Sequence, residues 1–301
     1  MIEFKSVSKH YGGVAAVRDF SLQIPEGQTL VFVGSSGSGK TTLLRMINRM
    51  VEPSKGQVLI AGQDVQVTDA VKLRRSIGYV MQHGGLLPHR TVQDNVATVP
   101  RLNGTAKQTA RLQALELLER VGLDPKLAKR YPRELSGGQQ QRVGVARALA
   151  ADPQILLMDE PFAAVDPIVR RELQLELMRL QAELGKTVVF VTHDIDEALL
   201  LGDTVVVLKN AGEIAQIGTP EQLVSEPADD FVRDFIGFDR SDRRLTTVTR
   251  GGVKYVVDAT GRPLGLLGEE QSPAAVQGQA EGDLQAAQGQ ARDQLTAEAS
   301  A

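Results

Sequence analysis

Residues 29–42 read TLVFVGSSGSGKTT, and this stretch decides the fold. Residues 29–33 are a short run of β-branched and apolar side chains, which is typical of a strand buried on both faces of a parallel sheet. A glycine-rich loop follows, and residues 41–50 have apolar side chains at helical spacing. The order of strand, glycine-rich loop and helix predicts an α/β fold with a phosphate-binding loop at one edge of a mostly parallel sheet.

The loop has the pattern G-x-x-x-x-G-K-[ST], the Walker A pattern of nucleotide-binding sites. Its small residues let backbone N–H groups surround phosphates, Lys40 neutralises the β and γ charges, and the Thr41 hydroxyl can ligate Mg²⁺. An accidental turn is the alternative, which the position between a buried strand and a helix disfavours. The candidate phosphate contacts are Gly34, Ser35, Ser36, Gly37, Ser38, Gly39, Lys40, Thr41 and Thr42.

Two carboxylates follow another buried-strand pattern at residues 155–158. Asp159 and Glu160 stand at the carboxyl end of a predicted parallel strand, where ligands bind in open α/β sheets. Asp159 resembles an aspartate that helps to hold Mg²⁺, and Glu160 is placed to orient and polarise an attacking water. A solvated surface pair is the alternative, which the preceding apolar run and the following Pro161 disfavour.

A third motif, LSGGQ at residues 135–139, precedes a segment with helical spacing at residues 140–150. Ser136 can cap this helix, and the unpaired N–H groups and positive dipole end suit a γ-phosphate. A Ser-Gly-Gly surface loop is a common alternative when the pattern stands alone. The candidate contacts in this motif are Ser136, Gly137, Gly138 and Gln139.

The three motifs in this order resemble the nucleotide-binding subunit of an ABC transporter, over roughly residues 1–236. The resemblance implies an ATP hydrolase with a P-loop NTPase fold of the ABC type. Such a fold has a mostly parallel core sheet, an antiparallel β subdomain and a helical subdomain. The catalytic residues implied are Lys40, Gln82, Glu160 and His193, and the implied metal ligands are Thr41, Gln82 and Asp159.

The same resemblance implies roles for four isolated residues. Tyr11 stacks on adenine, and Gln82 contacts Mg²⁺ and the attacking water. Asp166 lies at a dimer seam, and His193 contacts the γ-phosphate. One departure is that residues 163–164 are alanines where many relatives have serine or glycine, which concerns coupling between two sites.

In this family two subunits stack head to tail, so that ATP lies between the Walker motifs of one chain and the LSGGQ motif of the other. The implied partners are therefore a second copy or a paralogue, transmembrane permease subunits and an extracytoplasmic substrate-binding protein. Residues 84–89 and 91–96 lie where relatives dock the permease. The implied location is the cytoplasmic face of the cell membrane, with peripheral attachment.

Composition excludes several function classes. Lys and Arg number 34 against 37 Asp and Glu, so the net charge of −3 supplies no cationic field for nucleic acid. Cysteine is absent, which excludes thiolate catalysis and cysteine-ligated metals. No apolar run approaches the roughly 20 residues of a membrane helix, so any membrane role is expected to be peripheral.

Four segments resemble the ATPases of osmoprotectant importers for glycine betaine, carnitine or choline, namely residues 46–49, 78–82, 161–168 and 230–237. An importer ATPase for an amino acid or a polyamine is the alternative. A soluble ABC ATPase acting on DNA or ribosomes is disfavoured by the lack of long coiled coils and of a second cassette. A non-catalytic module is disfavoured because Glu160 and His193 are both present.

The remaining patterns divide the chain into three regions. Residues 1–238 are predicted to form the nucleotide-binding domain, with helices over 107–121, 168–183 and 220–236. Residues 239–268 form a short extension, in which 253–258 predict a strand and 256–265 resemble part of a CBS regulatory module. Residues 269–301, rich in Ala, Gln and Gly, predict a disordered tail because they cannot bury enough apolar surface.

Overall fold

The computed structural model describes residues 1–82, 84–163, 165–237, 245–250, 253–257 and 263–266. The chain divides into two compact units, residues 1–236 and residues 237–301. The first unit contains all the candidate site residues.

In the described part of the chain, the strands are β1 (Ile2–Tyr11), β2 (Val14–Ile24), β3 (Thr29–Gly34), β4 (Lys55–Ile60), β5 (Gln63–Asp64), β6 (Ile77–Val80), β7 (Ile155–Asp159), β8 (Thr187–Thr192), β9 (Thr204–Leu208), β10 (Ile214–Gly218), β11 (Thr246–Arg250), β12 (Val253–Val257) and β13 (Pro263–Leu266). The α-helices are α1 (Lys40–Ile47), α2 (Ala70–Ser76), α3 (Val92–Val96), α4 (Thr98–Leu102), α5 (Lys107–Arg120), α6 (Gly137–Leu149), α7 (Pro167–Leu184), α8 (Ile195–Leu201), α9 (Pro220–Ser225) and α10 (Asp230–Ile236). None of these helices is long and apolar enough to cross a membrane.

The larger sheet has the strand order β10-β9-β3-β8-β7-β6. Strands β9, β3, β8, β7 and β6 pair in parallel, and β10 is antiparallel to β9. Every residue of β3, β7 and β8 is buried, as expected for parallel strands covered on both faces. The predicted mostly parallel core sheet is confirmed, and the carboxyl ends of β3, β8 and β7 lie side by side.

A smaller antiparallel sheet has the order β2-β1-β4-β5. Phe4 of β1 and Phe20 of β2 meet edge to face with ring centroids 5.3 Å apart. Phe20 also meets Phe32 of β3, at 6.0 Å between centroids, so aromatic packing joins the two sheets. The three rings belong to one apolar core, which also includes Leu43 and Ile47 of α1. This arrangement confirms the predicted antiparallel β subdomain.

The chain between β6 and β7 forms the helical subdomain, which contains α3 to α6 and 3₁₀ turns at Pro125–Lys129 and Pro132–Glu134. Ala110, Ala114 and Leu118 form the buried stripe of α5. They share one apolar cluster with Val143 and Ala146 of α6. Their four-residue spacing is the helical period that predicted α5 from the sequence.

Helix ends differ from the sequence prediction in two places. Helix α1 ends at Ile47, and Arg49 then takes a left-handed backbone conformation with φ of 55°, which stops the helix before Met50. The helix predicted over residues 220–236 is two helices, α9 and α10, with Pro227 between them. Proline lacks the N–H that a continuous helix needs at this point.

Residues of the second unit form an antiparallel sheet with the order β11-β12-β13. Strand β12 lies within the strand predicted over residues 253–258. Val257 is its buried residue. The tail predicted over residues 269–301 lies outside the described residues.

Candidate nucleotide site

The loop after β3 is shaped by glycines and by Lys40. Gly39 has φ of 93°, and a Cβ there would lie 2.6 Å from the backbone oxygen of Ala16, so only glycine fits. The Lys40 ammonium donates to the backbone oxygens of Gly34 and Ser35, at 2.7 and 2.8 Å. These bonds hold the loop curled around the lysine.

Lys40 is a buried cation, only 5% exposed. Burial lowers the pKa of its ammonium, and the nearby carboxylates of Glu160 and Asp159 oppose that decrease. A buried cation without a bonded carboxylate gains most from an added negative charge, because the surrounding dielectric is low. The electrostatics of the loop therefore favour phosphate.

Asp159, at the end of β7, is held by three side chains. Its Oδ1 accepts from the Thr41 hydroxyl at 2.9 Å. Its Oδ2 accepts from Arg45 Nη2 at 3.2 Å and from the Tyr79 hydroxyl at 3.1 Å. Sequence reasoning missed Arg45 and Tyr79, although Arg45 lies one helical turn after Thr41 and this spacing was a usable signal.

Glu160 and His193 form a pair across the ends of β7 and β8. Glu160 Oε2 and His193 Nδ1 are 3.0 Å apart. Because a carboxylate can only accept, Nδ1 carries the hydrogen in this pair, and Nε2 remains available to a ligand. Glu160 has φ of 45°, and its N–H donates to the Val191 oxygen at 2.9 Å, so β8 fixes this unusual backbone conformation.

One pocket brings the loop and Glu160 together. It is lined by Ala16, Ser36, Gly37, Gly39, Lys40, Thr41, Thr42 and Glu160. The carboxylate that could activate water and the lysine that could bind phosphate therefore face a common space. The parallel pairing of β3, β8 and β7 explains this, because their carboxyl ends meet at one edge.

Ser136 to Gln139 occupy the start of α6. The Ser136 hydroxyl accepts from the Gln139 N–H at 3.3 Å, and the Gln139 side chain accepts from the Ser136 N–H at 3.0 Å, so the two form a capping box. A Cβ at Gly138 would lie 2.4 Å from Val169 Cγ1, so α6 packs closely on α7 here. Asp166 caps α7 by accepting from the Val169 N–H at 3.1 Å.

Several predicted contacts lie outside the lining of this pocket. Asp166 and the LSGGQ motif lie together at the starts of α7 and α6, and they are not among the residues that line the pocket. Tyr11, half exposed with the Lys9 ammonium 5.1 Å from its ring centroid, also lies outside that lining. Gln82 is exposed and makes no side-chain hydrogen bond to any described residue.

The oxygen donors at Thr41 and Asp159 fit Mg²⁺. The hydroxyl and the carboxylate oxygen are 2.9 Å apart, and Mg²⁺ prefers such hard oxygen ligands, with waters and substrate phosphates completing its shell. Among the described residues, no group of three His, Asp or Glu side chains could hold a metal alone.

Comparison with known proteins agrees with this geometry. The family model described as ABC transporter matches residues 17–163. The choline transport ATP-binding protein OpuBA of Bacillus subtilis is 53% identical over 241 residues, 80% of this chain and 63% of that relative. The glycine betaine uptake system ATP-binding protein YehX of Escherichia coli is 49% identical over 256 residues, 85% of this chain and 82% of that relative.

A solved structure is similar over the same region. It is a dimeric ATP-binding cassette in a post-hydrolysis state, bound to ADP and Pi, with 36% identity and a TM-score of 0.67 over 73% of this chain and 99% of that one. The chain belongs to the ABC transporter family, as an ATP-binding cassette. It spans less than two thirds of the length of some curated relatives, such as the 63% of OpuBA.

Proposed function

We propose that this chain is the ATP-hydrolysing subunit of a membrane importer for osmoprotectants such as glycine betaine, carnitine or choline. The observation that carries the hydrolase is the pocket lined by both Lys40 and Glu160, with His193 3.0 Å from the Glu160 carboxylate. The cargo is supported by the printed names of relatives that are about half identical to this chain.

Phosphate binding is assigned to the loop and the start of α1. Lys40 compensates the charge of the β- and γ-phosphates, while backbone N–H groups of residues 36–42 donate to their oxygens. Tyr11 is assigned to adenine stacking by resemblance, and its half-exposed ring is accessible for it. Thr41 and Asp159 would hold Mg²⁺, which supplies further compensation of phosphate charge.

Hydrolysis is assigned to Glu160. A water oxygen attacks the γ-phosphorus and gives its proton to the Glu160 carboxylate, while the bond from the γ-phosphorus to the bridging oxygen breaks and ADP leaves. His193 orients the carboxylate through Nδ1, and Nε2 can contact the γ-phosphate. Gln82 is assigned, by resemblance, to the attacking water and to Mg²⁺.

A second chain is proposed to complete the site. The LSGGQ helix start carries N–H groups and a positive dipole end, yet it does not line the pocket of its own chain. A head-to-tail pair would bring Ser136 to Gln139 of one chain onto the ATP held by the other, with Asp166 at the seam. The pair forms from two copies or from a copy and a paralogue.

Permease subunits are proposed to dock on the segment after Gln82, at the cytoplasmic face of the membrane. Asn95 is fully buried and fixes this segment. Its amide donates to the backbone oxygens of Leu87, Arg90 and Thr91 at 3.0 to 3.1 Å, and its Oδ1 accepts from the Leu87 N–H at 2.7 Å. A surface of defined shape suits a specific partner.

Co-purification from the native cell tests this proposal. Tagged Glu160→Gln protein is recovered with ATP from solubilised membranes, with Lys40→Ala as the matched variant that cannot hold ATP. Recovery of a permease and a binding protein that takes quaternary amines is expected. Recovery of the components of another importer would keep the ATPase assignment and change the assigned cargo. Recovery of soluble partners alone would overturn the transport function.

A further inference from the structure

A buried polar network lies directly behind His193, and the function proposed above does not use it. Thr192, Glu197 and Gln174 are each at least nine-tenths buried. Glu197 Oε2 accepts from the Thr192 hydroxyl at 2.7 Å, and its Oε1 accepts from the Gln174 amide at 3.3 Å. Buried polar groups in such a network hold one geometry, because losing a partner is costly.

A second link between α7 and the segment around His193 lies one helical turn before Gln174. Arg170, on the same face of α7 as Gln174, donates from Nη2 to the Val165 oxygen at 3.2 Å. Its Nη1 lies 3.7 Å from Asp194 Oδ2. Asp194 caps α8 by accepting from the N–H groups of the next turn. The residues on both sides of His193 are therefore tied to α7.

His193 itself is weakly held. Its side chain is 59% exposed, and among the described residues its one side-chain hydrogen bond is that from Nδ1 to Glu160. The Asp194 N–H donates to the Thr192 hydroxyl at 3.0 Å, so the backbone of residues 192–194 forms a turn closed by the buried threonine. The direction of the imidazole thus depends on this turn, and the turn depends on α7.

We propose that Gln174 and Arg170 are positioning residues that set the orientation of His193, with Glu197, Thr192 and Asp194 as the connecting groups. The inference rests on the proposed ATP hydrolase function, because it concerns how His193 of that site is oriented. Asp166 caps the start of α7, and the neighbouring Val165 carries the backbone oxygen that is bonded to Arg170. A displacement of the Asp166 turn, for example by an arriving second chain, would therefore reach His193 through α7.

Burial raises the pKa of the Glu197 carboxyl, and its bonds to Thr192 and Gln174 oppose that increase. Burying a charged carboxylate in this network therefore costs free energy. Glutamine at position 197 keeps an acceptor for Thr192, and its NH₂ group can donate to Gln174 after the Gln174 amide flips. Glu197→Gln is consequently the conservative variant that preserves the connection.

Ring-nitrogen NMR of protein labelled with ¹⁵N-histidine tests the proposal, with His193 assigned by its loss in His193→Ala. In Gln174→Leu, and separately in Arg170→Met, the His193 nitrogens are expected to shift toward an imidazole that exchanges between tautomers. ATP hydrolysis should fall by about 10-fold while ATP affinity stays within about twofold. Glu197→Gln should keep the wild-type spectrum and rate.

Gln113→Leu, at an exposed glutamine of α5, is the matched control and should change neither readout. Unchanged His193 signals in folded Gln174→Leu and Arg170→Met would overturn the proposal, even if hydrolysis slowed. Two variants are used so that poor folding of one leaves the other to decide. If the wild-type protein did not hydrolyse ATP, the proposed function would fail, and the nitrogen shifts would still decide the positioning role.

Discussion

Two regions of this molecule are suited to phosphate, and they are built differently. The loop at residues 34–41 follows the buried strand β3, its Lys40 ammonium donates to loop backbone oxygens, and its Thr41 hydroxyl donates to the Asp159 carboxylate. The start of α6 is exposed at Ser136 and Gly137, is closed by a capping box and packs on α7 at Gly138. The first region has its side chains in place, whereas the second offers only a helix end.

The difference fits the proposed head-to-tail pair, in which each region would form part of one site. A helix end with a single cap contributes dipole and N–H groups but no group that could activate water. The pocket at Lys40 and Glu160 has such a group, yet its lining includes no residue of α6. A head-to-tail pair, as proposed above, would bring the exposed start of α6 of one chain onto the phosphates held by the loop of the other.

The largest expected effect belongs to the first region. Glu160→Gln should lower ATP turnover by about 10²-fold or more, because the amide cannot accept the proton of water. ATP affinity should persist, since Lys40 and the loop are unchanged. Steady-state phosphate release and equilibrium binding of a fluorescent ATP analogue measure the two quantities, and near-normal turnover would reject Glu160 as the base.

The next effect belongs to the second region. Gly137→Asp places a carboxylate in the first turn of α6, where it stabilises the helix but repels phosphate. Turnover should fall by about 10-fold or more, while nucleotide binding by the dilute single chain is unchanged. Loss of binding at concentrations where the chain is monomeric would show that α6 belongs to the site of its own chain. Gln108→Asp, which places a carboxylate in the exposed first turn of α5, serves as the control.

A smaller effect is expected at Asp159. Tyr79→Phe removes one of the two donors to Asp159 Oδ2, leaving Arg45 in place. The Mg²⁺ concentration needed for half-maximal turnover should change by about two- to tenfold, whereas turnover at saturating Mg²⁺ stays near normal. A titration of turnover against Mg²⁺ measures this, and an unchanged midpoint would remove Tyr79 from the site.

The smallest effect concerns the stability of the helical subdomain that carries α6. The hydrogen bonds from Arg111 lower the pKa of the Asp94 carboxyl below its ordinary 3.8. A lowered folded pKa stabilises the protein above pH 3.8, and that contribution is lost as the pH falls through the folded value. Asp94→Asn should therefore lower Tm at pH 7, and the difference from wild type should shrink toward acid.

Much of the first region could be predicted from the sequence. The strand, loop and helix around Lys40 are local in the chain, so their period and glycine pattern are sufficient. The capping of α6 by Ser136 is local too, and the structure has it. Tyr79 could not be paired with Asp159 in advance, because their meeting depends on β6 lying beside β7, whereas the four-residue spacing of Thr41 and Arg45 was a usable signal.

Other features depended on tertiary structure. The short helices α2, α3, α4 and α8 have seven residues or fewer, too few for a periodic pattern to be clear. From the sequence, Glu197 is expected to be an exposed charged residue of a helix. Only the packing of α7 on α8 shows that it is buried beside Gln174. The roles of the predicted site residues remain predictions, which the distances among Thr41, Asp159, Glu160 and His193 support.

Cysteine cross-linking tests the two-chain site most directly, since the chain has no cysteine of its own. In the Glu160→Gln background, Ser36→Cys on the loop and Ser136→Cys at α6 are placed in the same chain, and mild oxidation is applied with and without ATP. The account predicts a cross-linked species of twice the chain mass that forms only with ATP. A cross-link within one chain, or equal dimer cross-linking without ATP, would contradict it.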